Sequence, residues 1–244
     1  MNQYLKNLQK IEFVVTYACT GRCRHCSEGD HTNCGERIDP VIAADAVRKI
    51  AAKYDVKTRD DSNADDHRYP YEPTPYKVLL RLATSCYFSE KDTVLDYGCG
   101  KGRVGFFLAP HTKAKYIGIE YDELIYQAAL KNHRPGIFKQ QISFRLSRAE
   151  EYEVPSEVNR CYFFNPFSIE ILRKVMARIL ESYYEDPRQI LLFFYYPSDE
   201  YMCYLMTLDE LEFYDEIDCG DIFENGDKRE RIMVFELPYY EAEE

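Results

Sequence analysis

The chain contains no tryptophan and only five methionines and five histidines in 244 residues, so its aromatic character is carried by 22 tyrosines and 14 phenylalanines. It lacks any apolar run of roughly eighteen residues, the length a membrane-spanning helix needs, and no membrane partner is expected. Near the start, Lys6, Lys10 and Glu12 interrupt the apolar core that a signal peptide requires, which makes the cytoplasm the expected location. Basic residues are in deficit: 31 Lys and Arg against 42 Asp and Glu leave a net charge of −11. A chain so charged repels a phosphate backbone, which disfavours nucleic acid as a partner. Internal repeats and long low-complexity segments are absent too.

What is present fits a soluble globular protein, with 45% apolar and 30% charged residues. The length suits one α/β domain with a small appendage. Charge divides the chain unevenly, because residues 1–57 carry a net +2 and the remainder −13. Between them the polar stretch TRDDSNADDH reads as a linker, with its boundaries set at 58–67.

Beyond the linker, the spacing predicts an amphipathic helix over Pro75 to Ser85, followed by alternating strands and helices. VLDYG leads through a glycine loop into a helix from about Gly102, and YIGIEY leads into a helix from Asp122. The alternation continues with strands at Ile142 to Leu146, Cys161 to Phe164 and Ile190 to Tyr196, and helices at Ser168 to about Tyr184 and Ser198 to Met206. Such alternation implies parallel crossovers in a doubly wound sheet. At the end, Glu212 to Asp218 and Arg231 to Leu237 flank the turn signal ENGD and predict a closing antiparallel hairpin. The expected fold is therefore α/β and Rossmann-like: a doubly wound, mostly parallel seven-stranded sheet with a C-terminal antiparallel hairpin and a small N-terminal appendage.

In VLDYGCGKGRVGFFL (94–108) an apolar strand ends near Asp96, and Gly98, Cys99, Gly100 and Gly102 form a loop that enters a helix. Glycines let backbone approach a ligand where a Cβ would collide. Glu120 ends the next strand beside that loop, where a carboxylate can accept hydrogen bonds from both hydroxyls of a ribose. Nicotinamide-binding domains use similar geometry, but their fingerprint is G-x-G-x-x-G. The spacing here is G-x-G-x-G, preceded by an acidic residue.

In these motifs, residues 70–237 resemble the class I S-adenosylmethionine-dependent methyltransferases. The resemblance implies that Asp96 and the backbone around Gly98, Cys99 and Gly100 hold the methionine part of the cofactor. It implies that Glu120 holds the ribose and that Tyr121 lies against the adenine. The turn Ser147, Arg148, Ala149, Glu150 follows the third strand, and the adenine contact is expected there at Ala149; Arg148 stands where the family often has an acid. The segment FFNPFS (163–168) occupies the place of the family's N-P-P-[YF] motif, so Asn165 and Phe167 are the expected contacts to the methyl acceptor. In that motif the Asn carbonyl and the Pro backbone carbonyl accept hydrogen bonds from a planar nitrogen and the ring stacks on it. This chain has one Pro where the motif has two. The acceptor is a small molecule or a protein side chain. Tyr195, Tyr196 and Pro197 stand on the same edge, as acceptor-pocket lining or as core. HRYPYEPTPY (67–76) is either a flap over the cofactor or a strap packed on the domain.

Nine cysteines in a chain without a secretory signal are expected to be reduced thiols or metal ligands. Cys86, Cys99, Cys161, Cys203 and Cys219 are scattered and read as small buried residues. Cys19, Cys23 and Cys26 instead form C-x3-C-x2-C directly after the strand-like IEFVVT. Three thiolates so spaced can reach three irons of a four-iron cluster. Residues 11–30 accordingly resemble the start of a radical S-adenosylmethionine enzyme. The chain enters the linker after a single helix, so the further βα units of that family's partial barrel are absent. Three readings of residues 1–57 stand: a truncated radical-enzyme-like segment, a structural [4Fe-4S] cluster or zinc site that Cys34 and His25 would help to complete, and radical chemistry. Residues 68–244 are expected to form the methyltransferase domain; the alternatives are an iron–sulfur protein or a non-catalytic cofactor-binding module.

Overall fold

A computed structural model describes residues 72–133, 141–224 and 227–239. The Cys19, Cys23, Cys26 motif, segment 1–57 and linker 58–67 lie outside the described residues.

Helix α1 (Tyr76–Ala83) begins where Pro75, with φ −59, sets the backbone ahead of the first turn. One face, Val78, Leu79, Leu80 and Leu82, is buried. Thr84 ends the helix, its hydroxyl donating to the Leu80 carbonyl at 3.0 Å. There follow β1 (Thr93–Tyr97), α2 (Arg103–Thr112), β2 (Lys115–Glu120), α3 (Glu123–His133), β3 (Ile142–Leu146), β4 (Arg160–Phe163), α4 (Ile169–Glu185), β5 (Ile190–Tyr195), α5 (Asp199–Leu205), β6 (Glu212–Asp218) and β7 (Arg231–Leu237).

These strands form one sheet in the order β3-β2-β1-β4-β5-β7-β6. β1 to β5 run parallel, and β7 inserts antiparallel between β5 and β6. The expected seven-stranded, mostly parallel sheet with an antiparallel C-terminal hairpin is thus the observed one. Strand order reverses between β1 and β4, so a crevice opens at the carboxyl ends of those two strands, where doubly wound sheets place their ligands.

Side chains alternate across β1: Val94 joins the core beneath α1 and α2, whereas Leu95 and Tyr97 join the core beneath α4 and α5. The first layer holds Phe106, Phe107, Tyr116, Tyr162, Phe193 and Val234, and the second Ile119, Phe163, Val175, Ile179, Phe194 and Phe235. Each such side chain contributes about 1.5–3 kcal/mol by leaving water. At the amino ends of the strands, Arg160 of β4 reaches Asp92 at 3.1 Å and Asn159 donates to the same carboxylate at 2.9 Å, tying β1 to β4 away from the crevice. The outer edge, β6, carries Glu212, Asp215, Glu216 and Asp218, charges that discourage pairing with another strand.

Two strands end a residue before their apolar runs do. β4 stops at Phe163 and β5 at Tyr195 because Asn165 (φ 41) and Tyr196 (φ 51) turn into the left-handed region, which breaks the ladder.

Candidate functional site

At the carboxyl end of β1 the backbone turns through Gly98 (φ 75), Gly100 (φ 56) and Gly102 (φ 87). These left-handed values disfavour any residue with a Cβ. Space is equally restrictive: a Cβ on Gly98 would lie 2.8 Å from Pro166 Cβ, and one on Gly102 would lie 2.6 Å from the Phe144 ring. The loop is pinned to β2, since the N–H groups of Gly98 and Cys99 donate to the Ile119 carbonyl at 3.0 and 2.9 Å. Cys99 is buried, its Sγ against the bare Cα of Gly118. Burial pushes its thiol well above the usual range, so it stays neutral and is no nucleophile.

Two carboxylates flank this loop. Glu120, 5% exposed, accepts from Gly100 N–H and from Asp122 N–H, each at 3.0 Å. Burial raises its pKa to about 7 against the opposing pull of these donors. Asp96, 2% exposed, accepts through Oδ2 from the Tyr116 hydroxyl. Burial raises its pKa to about 7 as well; the Tyr116 hydrogen bond lowers it and the Glu120 charge raises it further. Neither carboxylate has a cationic partner among the described residues.

Tyr121 is half-buried after β2, and Ala149 opens a single 3₁₀ turn after β3, so both stand at the carboxyl edge of the sheet. Ser147 N–H donates to the Glu120 carbonyl at 3.0 Å and fixes that turn beside Glu120. Arg148 is exposed.

Across the crevice Asn165 follows β4. Its Oδ1 is buried with no hydrogen-bond partner among the described residues, and its neighbour Pro166 seals the far side of Gly98. Phe167 lies elsewhere: 3% exposed, it packs edge-on against Phe163 at 6.4 Å in the second core layer. Its ring is part of the support beneath the motif, and its carbonyl accepts from the Tyr201 hydroxyl at 2.5 Å. The half-buried Phe164 instead meets Tyr195 on the crevice side, centroids 4.6 Å apart. The Tyr195 hydroxyl donates to Glu230 at 2.6 Å and the Tyr196 hydroxyl to Asp227 at 2.5 Å.

The start of the described chain crosses this region. Thr74 Oγ1 bonds the Tyr162 hydroxyl at 3.0 Å, Arg103 donates to the Thr74 carbonyl at 3.1 Å, and the Arg103 guanidinium lies over the Tyr76 ring at 4.6 Å. Pinned at three points, residues 74–76 are a packed strap. Tyr116 and Arg103 are functional-edge residues that sequence reasoning did not single out.

The site fits a cofactor with a ribose and a cationic amino-acid end: a glycine cradle that any Cβ would fill, a carboxylate bonded to the loop, and a second buried carboxylate with no cation to meet it. Sheet order and the glycine turn at the end of β1 define a Rossmann-like, doubly wound fold. The family model described as a methyltransferase domain matches residues 88–190. A protein-lysine N-methyltransferase of Saccharolobus islandicus is 38% identical over 64 residues, which are 26% of this chain and 40% of the relative. The chain thus spans less than half the length of that curated relative. Among solved structures, StiE O-MT (its residues 961–1257) superimposes with a TM-score of 0.52 at 12% identity, covering 68% of this chain and 75% of that one. An RNA methyltransferase from Salinibacter ruber, solved with S-adenosyl-L-homocysteine, gives 0.49 at 20% identity, covering 71% and 98%. At 12% identity the likeness to StiE O-MT shows the fold alone. No group of three or more His, Cys, Asp or Glu able to hold a metal occurs among the described residues, and no helix among them is long and apolar enough to cross a membrane.

Proposed function

We propose that this chain is an S-adenosylmethionine-dependent methyltransferase whose acceptor atom is a nitrogen. One observation carries the acceptor reading: the buried, unpartnered Oδ1 of Asn165, held in a left-handed turn across the crevice from the glycine loop. A buried acceptor without a donor costs about 1–3 kcal/mol, a cost that a bound N–H would offset. Asp96 would hold the cationic end of the cofactor, Glu120 the ribose, and Tyr121 and Ala149 the adenine. When bound, the cofactor supplies a methyl group activated by the sulfonium. By accepting a proton of the acceptor nitrogen in a hydrogen bond, Asn165 turns the lone pair toward that methyl group. The acceptor reacts as the neutral amine, an ammonium having first given its proton to solvent; the N–C bond then forms as the S–C bond breaks, the sulfur keeps the electron pair, and the methylated nitrogen carries the positive charge. Alignment supplies most of the acceleration, and no dedicated base is needed.

The likeness to a protein-lysine N-methyltransferase puts a lysine side chain first among acceptors, ahead of a free small-molecule amine. The net charge of −11 favours such a basic partner over nucleic acid. Calorimetry with S-adenosylhomocysteine tests the cofactor half: binding is expected to collapse in Asp96→Ala and Glu120→Ala and to survive Asn165→Ala. Affinities unchanged in the first two would sink the assignment. Sinefungin, which carries an ammonium group where the methyl stands, tests the acceptor half. Wild-type protein is expected to prefer it over S-adenosylhomocysteine and Asn165→Ala to lose that preference.

The Cys19, Cys23, Cys26 spacing supports a second, separable reading of the N-terminal segment as a cluster or zinc site. Anaerobic purification should then yield bound iron and sulfide, or zinc, that Cys23→Ala abolishes; metal-free protein would overturn it.

A further inference from the structure

Asp96 is the most deeply buried acid of the cofactor edge, and its one side-chain partner is an unusual one. Tyr116 sits on β2, where its backbone pairs with Val94, and its ring runs under helix α2 toward the end of β1. The ring fits there because α2 has a glycine at 105. A Cβ on Gly105 would stand 2.7 Å from Tyr116 Cζ and closer still to the ring edge. A glycine inside a helix costs about 1 kcal/mol relative to alanine, so its place here is explained by the ring it admits. The hydroxyl emerges buried and donates to Asp96 Oδ2.

We propose that Tyr116 is a positioning residue of the cofactor site, acting through Asp96: seated by Gly105, its hydroxyl aims the Asp96 carboxylate and favours its ionised form, the one that meets the cationic end of the cofactor. The inference rests on the reading of this loop as an S-adenosylmethionine site. A donated hydrogen bond favours the charged form of a carboxyl group, and the surroundings of Asp96 offer little else that does so. Facing it are Glu120 and Tyr116 from β2, Cys99 from the loop and Tyr162 from β4. Tyr162 is turned to Thr74, and Arg103 at the start of α2 is engaged with Thr74 and Tyr76. Its pKa of about 7 leaves Asp96 part-protonated in the free protein near neutrality. Binding of a cation to the ionised form therefore releases a proton, and affinity rises with pH until Asp96 is fully ionised.

Titration calorimetry of S-adenosylmethionine from pH 5.5 to 8.5, repeated in two buffers of different ionisation enthalpy, tests this. Wild type is expected to release up to one proton through Asp96 near pH 6.5 and to reach a plateau above about pH 8. Removing the hydroxyl in Tyr116→Phe should move the rise to higher pH. Affinity would then be roughly fivefold lower at pH 7, for a displacement of about one pKa unit, and restored to near the wild-type value at pH 8.5. Gly105→Ala, which keeps the hydroxyl but dislodges the ring, should shift the profile in the same direction, and circular dichroism would report whether either variant is folded. A Tyr116→Phe profile superimposable on wild type, or a loss of equal size at every pH, would overturn the proposal, as would binding by wild type with no proton release. Absence of binding at any pH would instead overturn the cofactor reading itself.

Discussion

The two sides of the crevice solve opposite problems. On the β1–β2 side the positive φ values fall on Gly98, Gly100 and Gly102, and both carboxylates already have donors: Tyr116 for Asp96, and the Gly100 and Asp122 N–H groups for Glu120. On the β4–β5 side the positive φ values fall on Asn165 and Tyr196, residues with side chains, and Asn165 Oδ1 has no partner among the described residues. A left-handed non-glycine residue costs roughly 1–2 kcal/mol. The first side has its loop and both carboxylates hydrogen-bonded before any ligand arrives, and what Asp96 lacks among the described residues is a cation. The second keeps strain and an unmet acceptor in reserve, which is the arrangement expected where specificity for a second substrate is decided.

Substitutions can break this contrast. The largest effect is expected from Glu120→Ala, which strands two buried N–H groups and removes the ribose contact; S-adenosylhomocysteine affinity should fall about a hundredfold, ~3 kcal/mol, in calorimetry. Asn165→Gly should cut methyl transfer by a similar factor, roughly a hundredfold through lost alignment. Its S-adenosylhomocysteine affinity should stay within about twofold of wild type and its melting temperature should hold or rise, because glycine relieves the strain. A fall in both affinity and stability would show that the two sides are one unit. Gly98→Ala should destabilise the fold by about 1–3 kcal/mol in chemical denaturation, as its Cβ drives into Pro166. The smallest effect belongs to Lys113→Gly. Lys113 (φ 61) caps α2 in the left-handed region far from any proposed contact, and its N–H bonds the Ala109 carbonyl at 2.9 Å. Glycine there should raise stability by up to about 1 kcal/mol without changing affinity, which separates strain that serves the site from strain that does not.

pH sharpens the comparison from the other direction. Asp96 and Glu120 are raised to about 7, so between their unfolded values near 4 and pH 7 the folded chain holds protons that the unfolded chain has lost. Stability of the free protein contributed by these two groups therefore falls as pH rises through that window. Bound S-adenosylmethionine should reverse the trend, so its stabilisation in thermal melts is expected to be larger at pH 8 than at pH 6.

Periodicity made the architecture legible, because each parallel strand is a short apolar run bounded by glycine or a charge and each helix has its own spacing. Strand ends were harder to place, since nothing in FFN or FYY announces that Asn165 and Tyr196 turn left-handed. The glycine loop, Asp96 and Glu120 could be named because the strand–glycine loop–helix–strand spacing itself marks them. Tyr116 could not, since a tyrosine in YIGIEY is an ordinary strand former and its meaning comes from Asp96, twenty positions away. The available signal was the helix-interior Gly105. Phe167 shows the converse: its motif position suggested stacking on an acceptor, yet its ring is one of the aromatics closing the second core layer.

The insertion of β7 between β5 and β6 also orders events in time. β5, with the sequence ILLFFY, is buried throughout, and among the described residues its outer edge pairs with β7. During synthesis that edge stays bare until some forty further residues have been made, and β6 emerges before it with no strand to join. The C-terminal hairpin is thus what closes the sheet, and a chain halted before Arg231 would present an apolar, unpaired edge that is an invitation to aggregate.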